Sequence, residues 1–250
     1  MVNITLPDNQ DRSLAFYLAA EEFVARRIEG EAFFVWRVEP TVIFGRNQVL
    51  ENEVNLEYCK EKGVSIVQRK SGGGCVYSDK GNIMISYVSE RGVVSEVFDR
   101  YLSALTECLR GLGLNAEKSG RNDILIGGRK VSGNAFHQLP DRSIVHGTLL
   151  YDTNMDALET AIRPPVEKLE RHGVASVRQR VVNIAELLAQ NVMNAKTDSN
   201  VQVVKYHPAL KSVEDLEKYI VEYFTEGEIR LSAEYVAEIE EMAEPYIVRI

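Results

Sequence analysis

Arg69-Lys70-Ser71-Gly72-Gly73-Gly74-Cys75-Val76-Tyr77 is the stretch on which the reading of this chain turns. A β-branched run (Val64, Ile66, Val67) leads into three successive glycines, after which Val76 and Tyr77 resume a β-rich pattern. Glycine backbone can pass very close to a ligand and present its N–H groups to an anion. The stretch therefore predicts a strand, a phosphate-holding loop and a second strand. Its plain alternative is a flexible turn between two strands. No GxxxxGK[ST] pattern occurs, so this is not a Walker A loop. Gly111-Leu112-Gly113-Leu114-Asn115-Ala116 matches a dinucleotide GxGxxA pattern, but it follows a helical pattern instead of a strand and is set aside.

Working outward, segments 122–126 and 129–133 flank Gly127-Gly128, a strong signal for a two-residue hairpin turn. With that turn, Ile126 faces Arg129, Leu125 faces Lys130 and Asp123 faces Ser132. Opposed residues of an antiparallel pair share a sheet face, and side chains alternate along each strand. Asp123, Lys130 and Ser132 are thus expected on one face beside Leu125, converging on the loop at 72–74. Such a wall suits a ligand that is charged at one end and apolar at the other. Taken alone, Lys130 reads as an ordinary solvated lysine and Asn122-Asp123 as a turn pair.

The chain has 250 residues, 45% of them apolar, which suffices for one α/β domain with a sizeable core. A formal net charge of −8 argues against a nucleic-acid binder, whose affinity rests on basic surface. Cys59, Cys75 and Cys108 are odd in number and widely spaced, which indicates neither a disulfide framework nor a zinc site. The N-terminus lacks a basic region followed by an apolar core, and no segment approaches ~18 uninterrupted apolar residues. A cytoplasmic protein without a membrane span is expected. A helix capped by Asp11 or Ser13 should end near Gly30, with Leu14, Tyr17, Leu18, Val24 and Ile28 at helical spacing. Strands are predicted at 33–36, 41–44, 64–67, 75–77, 83–88 and 144–151, with two more near Ile124 and Val131. Helices are predicted at 55–62 and 94–112, and mostly helical material from Asp156 on. The polar segment Thr197-Asp198-Ser199-Asn200 reads as a loop within one domain.

Six motifs now stand in a definite order: Arg69-Lys70-Ser71-Gly72-Gly73-Gly74, Asp79-Lys80-Gly81-Asn82, Gly120-Arg121-Asn122-Asp123, Arg129-Lys130-Val131-Ser132-Gly133, His146-Gly147-Thr148 and Ser176-Val177-Arg178-Gln179-Arg180-Val181. From about residue 36 to 188 this order resembles lipoate-protein ligase A. The resemblance implies an α/β fold of the α+β type, with a mixed or antiparallel sheet core flanked by helices. This is the biotin/lipoate ligase catalytic-domain fold, which resembles class II aminoacyl-tRNA synthetases. It implies an ATP-dependent ligase that activates lipoate as lipoyl-AMP and passes the lipoyl group to a lysine of an acceptor protein. ATP, Mg2+ and the substrate lipoate would be bound. The acceptors would be lipoyl domains of 2-oxoacid dehydrogenase E2 subunits and the glycine cleavage H protein.

By the same resemblance Lys130 is catalytic, lying between the lipoate carboxyl and the nucleotide α-phosphate as a point charge that offsets their repulsion. Arg69, Ser71, Gly72, Gly73, Gly74, Val76, Tyr77 and Asn82 would lie along the nucleotide and lipoyl-AMP. So would Asn122, Asp123, Ser132, Gly133, His146, Gly147, Thr148 and Arg180. Asp123 would hold the metal, with Asn122 offering a further oxygen. Trp36 would border the acyl chain. The plain readings of Trp36 and His146 are a core tryptophan and a strand histidine satisfied by backbone. The basic segment 163–180, by composition a solvated loop, would close over the intermediate, and Arg163, Lys168, Arg171, Arg178 and Arg180 would form a docking patch for acidic acceptors.

The chain departs from the family pattern with Gln68-Arg69 where two arginines are common, Ser78-Asp79 where His-Asp is usual, and Cys75 in place of alanine. Many bacterial ligases continue into an accessory domain beyond the point where this chain stops, so 1–250 is expected to be a single catalytic domain and a separate accessory subunit enters as a potential partner. The runner-up function is an ATP-independent octanoyl or lipoyl transferase of the same fold. Such enzymes carry a thioester-forming cysteine shortly before the lysine, where 117–123 has none. A biotin-protein ligase would have an arginine-rich GRGR-type motif, which is absent. A lipoate-binding sensor without turnover is a further reading, opposed by the intact Lys130 and Asp123.

Overall fold

The structure is a computed structural model and describes residues 1–120, 122–162, 180–197 and 210–249. Its strands are β1 (Val2–Thr5), β2 (Ala32–Trp36), β3 (Thr41–Gly45), β4 (Ser65–Arg69), β5 (Val76–Ser78), β6 (Asn82–Glu90), β7 (Ala116–Lys118), β8 (Asp123–Ile126), β9 (Arg129–Gln138), β10 (Arg142–Leu150) and β11 (Gly227–Arg230). Eight form one mixed sheet in the order β11-β1-β2-β6-β10-β9-β8-β7. Its β11-β1-β2 edge is parallel and the remaining pairs are antiparallel. A second sheet has the order β4-β3-β5. The expected α/β architecture, a largely antiparallel mixed sheet with flanking helices, is the one observed.

Helix α1 (Leu14–Arg27) starts where Ser13 Oγ accepts the Phe16 N–H at 3.2 Å. Such a cap satisfies one of the helix's orphan donors. Eleven of its fourteen residues are buried, because the helix is enclosed between the large sheet and helix α8 (Ala233–Ala243). Glu21 and Glu22 are therefore interior. The opposite face of the sheet is covered by α4 (Val94–Gly111), α6 (Ile184–Thr197) and α7 (Val213–Phe224). The small sheet packs on α3 (Leu56–Lys62) and α5 (Met155–Ala161), forming a third apolar cluster. A short α2 (Leu50–Glu53) precedes α3, whose cap is Asn55, with Oδ1 accepting from Tyr58 N. Among the described residues no helix is long and apolar enough to cross a membrane.

The hairpin turn is as predicted, with Gly127 and Gly128 at φ 57° and 74°, the pair of positive angles that a type I′ turn requires. Its register differs further along. Leu125 pairs with Lys130, but Ile124 pairs with Ser132 and Asp123 with Gly133, so Val131 is an extra residue on β9. This β-bulge turns the strand by one side chain. Asp123 and Lys130 keep the expected face, while Ser132 moves to the other, opposite the buried Ile124 and Leu149.

Candidate active site

A cleft opens where the β4–β5 loop meets the sheet. Gly73, Gly74 and Val76 form one side, and Lys130, Gly133 and Asn134 of β9 face them. His146, Gly147 and Thr148 of β10 line the floor, and Leu14, Leu18, Ile43 and Met84 supply an apolar wall. The two halves of the sequence reading, the glycine loop and the hairpin, thus meet in one cavity. It is polar at one end and apolar along a side.

Lys130 Nζ lies 2.8 Å from Asp123 Oδ1, with about a third of each side chain exposed. The lysine folds over Gly133, where a Cβ would come within 2.4 Å of Nζ. Lys130 also anchors the chain beyond the sheet, its carbonyl accepting from Val182 N at 3.0 Å. Arg180 is brought beside Lys130 by the Lys130–Val181 bridge, and its Nε is buried without a hydrogen-bond partner among the described residues. Segment 163–179, expected to close over the site and to carry Arg163, Lys168, Arg171 and Arg178, lies outside the described residues, as do Arg121 and 198–209.

Arg69 is 5% exposed and donates to Gly72 O through Nε and Nη2, to Gly74 O through Nη2 at 2.6 Å, and to Ile43 O through Nη1. Burial pushes its pKa down to about 10. Arg69 thus clamps the loop into shape and also lines the cleft. Gly73, at φ 97°, sits where a Cβ would meet Arg69 Nη2 at 2.9 Å, so both the angle and the space call for glycine. The Gly72 carbonyl is turned to that clamp.

Other expected residues brace the cleft, and Asn122, only partly buried, also lines it. Asn82 donates to Tyr77 O and accepts from Leu149 N, joining β5 to β10, and Tyr77 lies in the small-sheet core. Ser132, fully buried, accepts from Asn134 Nδ2 at 3.1 Å. Asn122 donates to Asn134 O at 2.6 Å and Asn134 returns the bond to Asn122 O, closing the end of the hairpin. Trp36 is 3% exposed, stacked on Tyr17 at 4.5 Å, and lies behind the cleft wall with Nε1 donating to Ser86 Oγ at 2.8 Å.

That tryptophan begins a chain of polar contacts that the sequence did not reveal. Ser86 Oγ donates to Glu21 Oε1 at 2.6 Å, Glu21 Oε2 lies 2.7 Å from His146 Nδ1, and His146 Nε2 lies 2.7 Å from Ser71 Oγ. The one signal available was a charged pair, Glu21-Glu22, between the apolar runs 14–20 and 23–25 of the helix. Glu22 faces a separate cluster, accepting from Lys70, Arg26 and Tyr246. Cys75 also lines the cleft, and burial pushes its thiol up to about 12.

No group of three or more His, Cys, Asp or Glu is arranged to hold a metal among the described residues. Asp123 alone can offer a carboxylate oxygen. A magnesium ion that rides on phosphates needs only one or two carboxylates, and Asp123 fits such an ion.

The family model for the lipoyl protein ligase A/B catalytic domain matches residues 13–203. Lipoate-protein ligase LplJ of Bacillus subtilis is 38% identical over 174 residues, 68% of this chain and 53% of that protein. Lipoate–protein ligase 1 of Staphylococcus aureus is 37% identical over the same shares. The chain thus spans about half the length of these curated relatives. Among solved structures, the bipartite lipoate protein ligase of Thermoplasma acidophilum, described with its E2 lipoyl domain, superposes with a TM-score of 0.76 at 24% identity, covering 98% of this chain and 92% of that one. Lipoate-protein ligase A bound with ATP gives 0.75 at 22%, covering 97% and 94%. With the sequence match extending over most of its length and the same fold throughout, the chain belongs to the lipoyl protein ligase A/B catalytic-domain family.

Proposed function

We propose that the chain is the catalytic domain of an ATP-dependent lipoate-protein ligase. The observation that carries this reading is the meeting of Lys130, held by Asp123, with the glycine loop in a cleft that has an apolar wall. Lipoate has a carboxylate at one end and an apolar chain at the other. Its chain would lie along Leu14, Leu18, Ile43 and Met84, leaving the carboxylate beside Lys130. The α-phosphate of ATP would lie between the lysine and the Gly73–Gly74 backbone. Carboxylate attack on the α-phosphorus forms a P–O bond and expels pyrophosphate, and a fixed ammonium stabilises the charge that gathers there. Magnesium on the phosphates would be held by Asp123 and would neutralise phosphate charge. Arg180, with an unpartnered Nε beside Lys130, is a second cation suited to the intermediate.

Lipoyl-AMP would then acylate a lysine of a lipoyl domain, of an E2 subunit or of H protein. The ATP-bound relative supports the nucleotide, and the archaeal relative described with an E2 lipoyl domain supports the acceptor class. That relative is called bipartite, which supports a separate accessory subunit as a partner here. The described residues would act as one catalytic domain. The alternative transferase would need a thiolate in the cleft, and burial keeps Cys75 protonated at neutral pH, which favours the ligase. Pyrophosphate release on mixing the chain with lipoate and ATP tests the reading. Lipoylation that requires a preformed acyl thioester and proceeds without ATP would refute it.

A further inference from the structure

In the second half of the reaction proposed above, the nucleophile arrives in the wrong protonation state. A lysine amine ordinarily has a pKa of about 10.4, so at pH 7 only about one in a few thousand is neutral. The site must take a proton from it. Of the groups lining the cleft, Lys130 and Arg69 are cations and Cys75 is a protonated thiol, leaving the imidazole of His146. Imidazole is the side chain suited to proton exchange near neutral pH.

His146 is held in an arrangement that fixes its tautomer. Ser86 Oγ accepts from Trp36 Nε1, so its own hydrogen goes to Glu21 Oε1. Glu21 Oε2, 2.7 Å from His146 Nδ1, then takes the Nδ1–H, and Nε2 is left as an acceptor for the Ser71 hydroxyl at 2.7 Å. Among the described residues Glu21 has no lysine or arginine partner; its oxygens are taken by Ser86 and His146. Glu21, His146 and Ser71 are 3%, 7% and 2% exposed, so bulk water does not substitute for any member. Carboxylate, imidazole and hydroxyl in this order form the arrangement in which a base is oriented by a third group.

We propose that Glu21, His146 and Ser71 form a proton relay that deprotonates the acceptor lysine, with His146 as the base and Glu21 as its positioning residue. This rests on the ligase reading. The ammonium proton passes to Ser71 Oγ as the hydroxyl's own proton passes to His146 Nε2. The freed lone pair forms the C–N bond to the acyl carbonyl. The C–O bond to phosphate breaks with its electrons leaving on AMP, which carries away the second nitrogen proton, and His146 returns its proton to water after release.

The test uses preformed lipoyl-AMP in single turnover, with the full chain and two nucleophiles: an unmodified lipoyl domain, and hydroxylamine, which is already neutral at pH 7. Glu21→Gln keeps the side-chain shape but removes the carboxylate charge that would stabilise the imidazolium formed as His146 takes the proton. The ratio of lysine to hydroxylamine transfer should then fall about a hundredfold, as expected for loss of a general base. An unchanged ratio, with both rates lowered together, would overturn the relay in favour of a structural role. A second measurement needs no variant: nitrogen NMR of the wild-type chain should show neutral His146 protonated at Nδ1, and protonation at Nε2 would overturn the assignment. Failure of the wild-type chain to transfer to either nucleophile would sink the ligase reading itself, and the relay with it.

Discussion

Replacing Lys130 with methionine separates the two roles that its geometry allows. The ion pair with Asp123 is short at 2.8 Å, but each side chain is about a third exposed. Pairs so exposed contribute about 1 kcal/mol or less. Methionine keeps the aliphatic length over Gly133, so little packing is lost. For a domain of this size such a loss corresponds to about 2–4 °C in Tm. The catalytic effect should be far larger. Removing one preorganised group that stabilises transition-state charge costs about 2.7–4 kcal/mol, or 10²–10³ in rate. Pyrophosphate release with lipoate and ATP gives the rate, and thermal melting of the same preparation gives the stability. A fall of less than tenfold in adenylation would refute the electrostatic role of Lys130. A Tm loss well above 4 °C would show that the lysine is a structural strut and that the kinetic effect cannot be assigned to chemistry.

Gly133→Ala should act on the same lysine indirectly: its Cβ would fall 2.4 Å from Nζ and 2.5 Å from Cε, so the flexible end of Lys130 must leave its place beside Asp123. We expect adenylation to fall by about tenfold or more while the melting temperature stays within the shift seen for Lys130→Met; full activity would mean that the lysine's position is not critical. Cys75→Ser should retain most lipoylation activity, and because the thiol is pushed up to about 12, alkylation of Cys75 at pH 8 should run about a thousandfold slower than for a thiol of pKa 9; rapid labelling would revive the thioester route. Burial raises Glu22, but hydrogen bonds from Lys70 and Tyr246 and the charges of Lys70 and Arg26 outweigh it, leaving the carboxyl below its ordinary value. A depressed carboxyl stabilises the fold above its unfolded pKa, and that contribution is lost as pH falls through the folded value. Glu22→Gln should therefore flatten the fall of stability below about pH 4.5, measured by urea denaturation; an acid limb as steep as in the wild type would remove Glu22 from the account.

What was legible in the sequence follows from how local each signal is. Ser13, Asn55 and Gly127-Gly128 act within three or four residues, and each appears as the cap or turn it specifies. Runs such as those of β3 and β6 are buried along nearly their whole length because both faces are covered, and their stretches of Val, Ile, Phe, Met and Tyr mark them as strands. The short strands β1, β7 and β11, the last two at the sheet's edges, have three or four residues each and depend on their neighbours, so they carry no comparable signal. The same limit applies inside the site. Alternation correctly put Asp123 and Lys130 on one face, but the bulge at Val131, which moves Ser132 to the other face, is not encoded in the two-residue alternation of the strands. Arg69 carried a cation's expectation, yet the carbonyls of Gly72 and Gly74 need a buried donor, and Arg69 supplies it. Glu21 is the most instructive case. Buried carboxylates are costly unless they are hydrogen-bonded, so a glutamate on the enclosed face of α1 requires partners from elsewhere in the fold. Those partners, Ser86 and His146, lie 65 and 125 residues away in sequence. The unusual residue was visible in the chain, whereas its use depends on the sheet that brings β6 and β10 together beneath the helix.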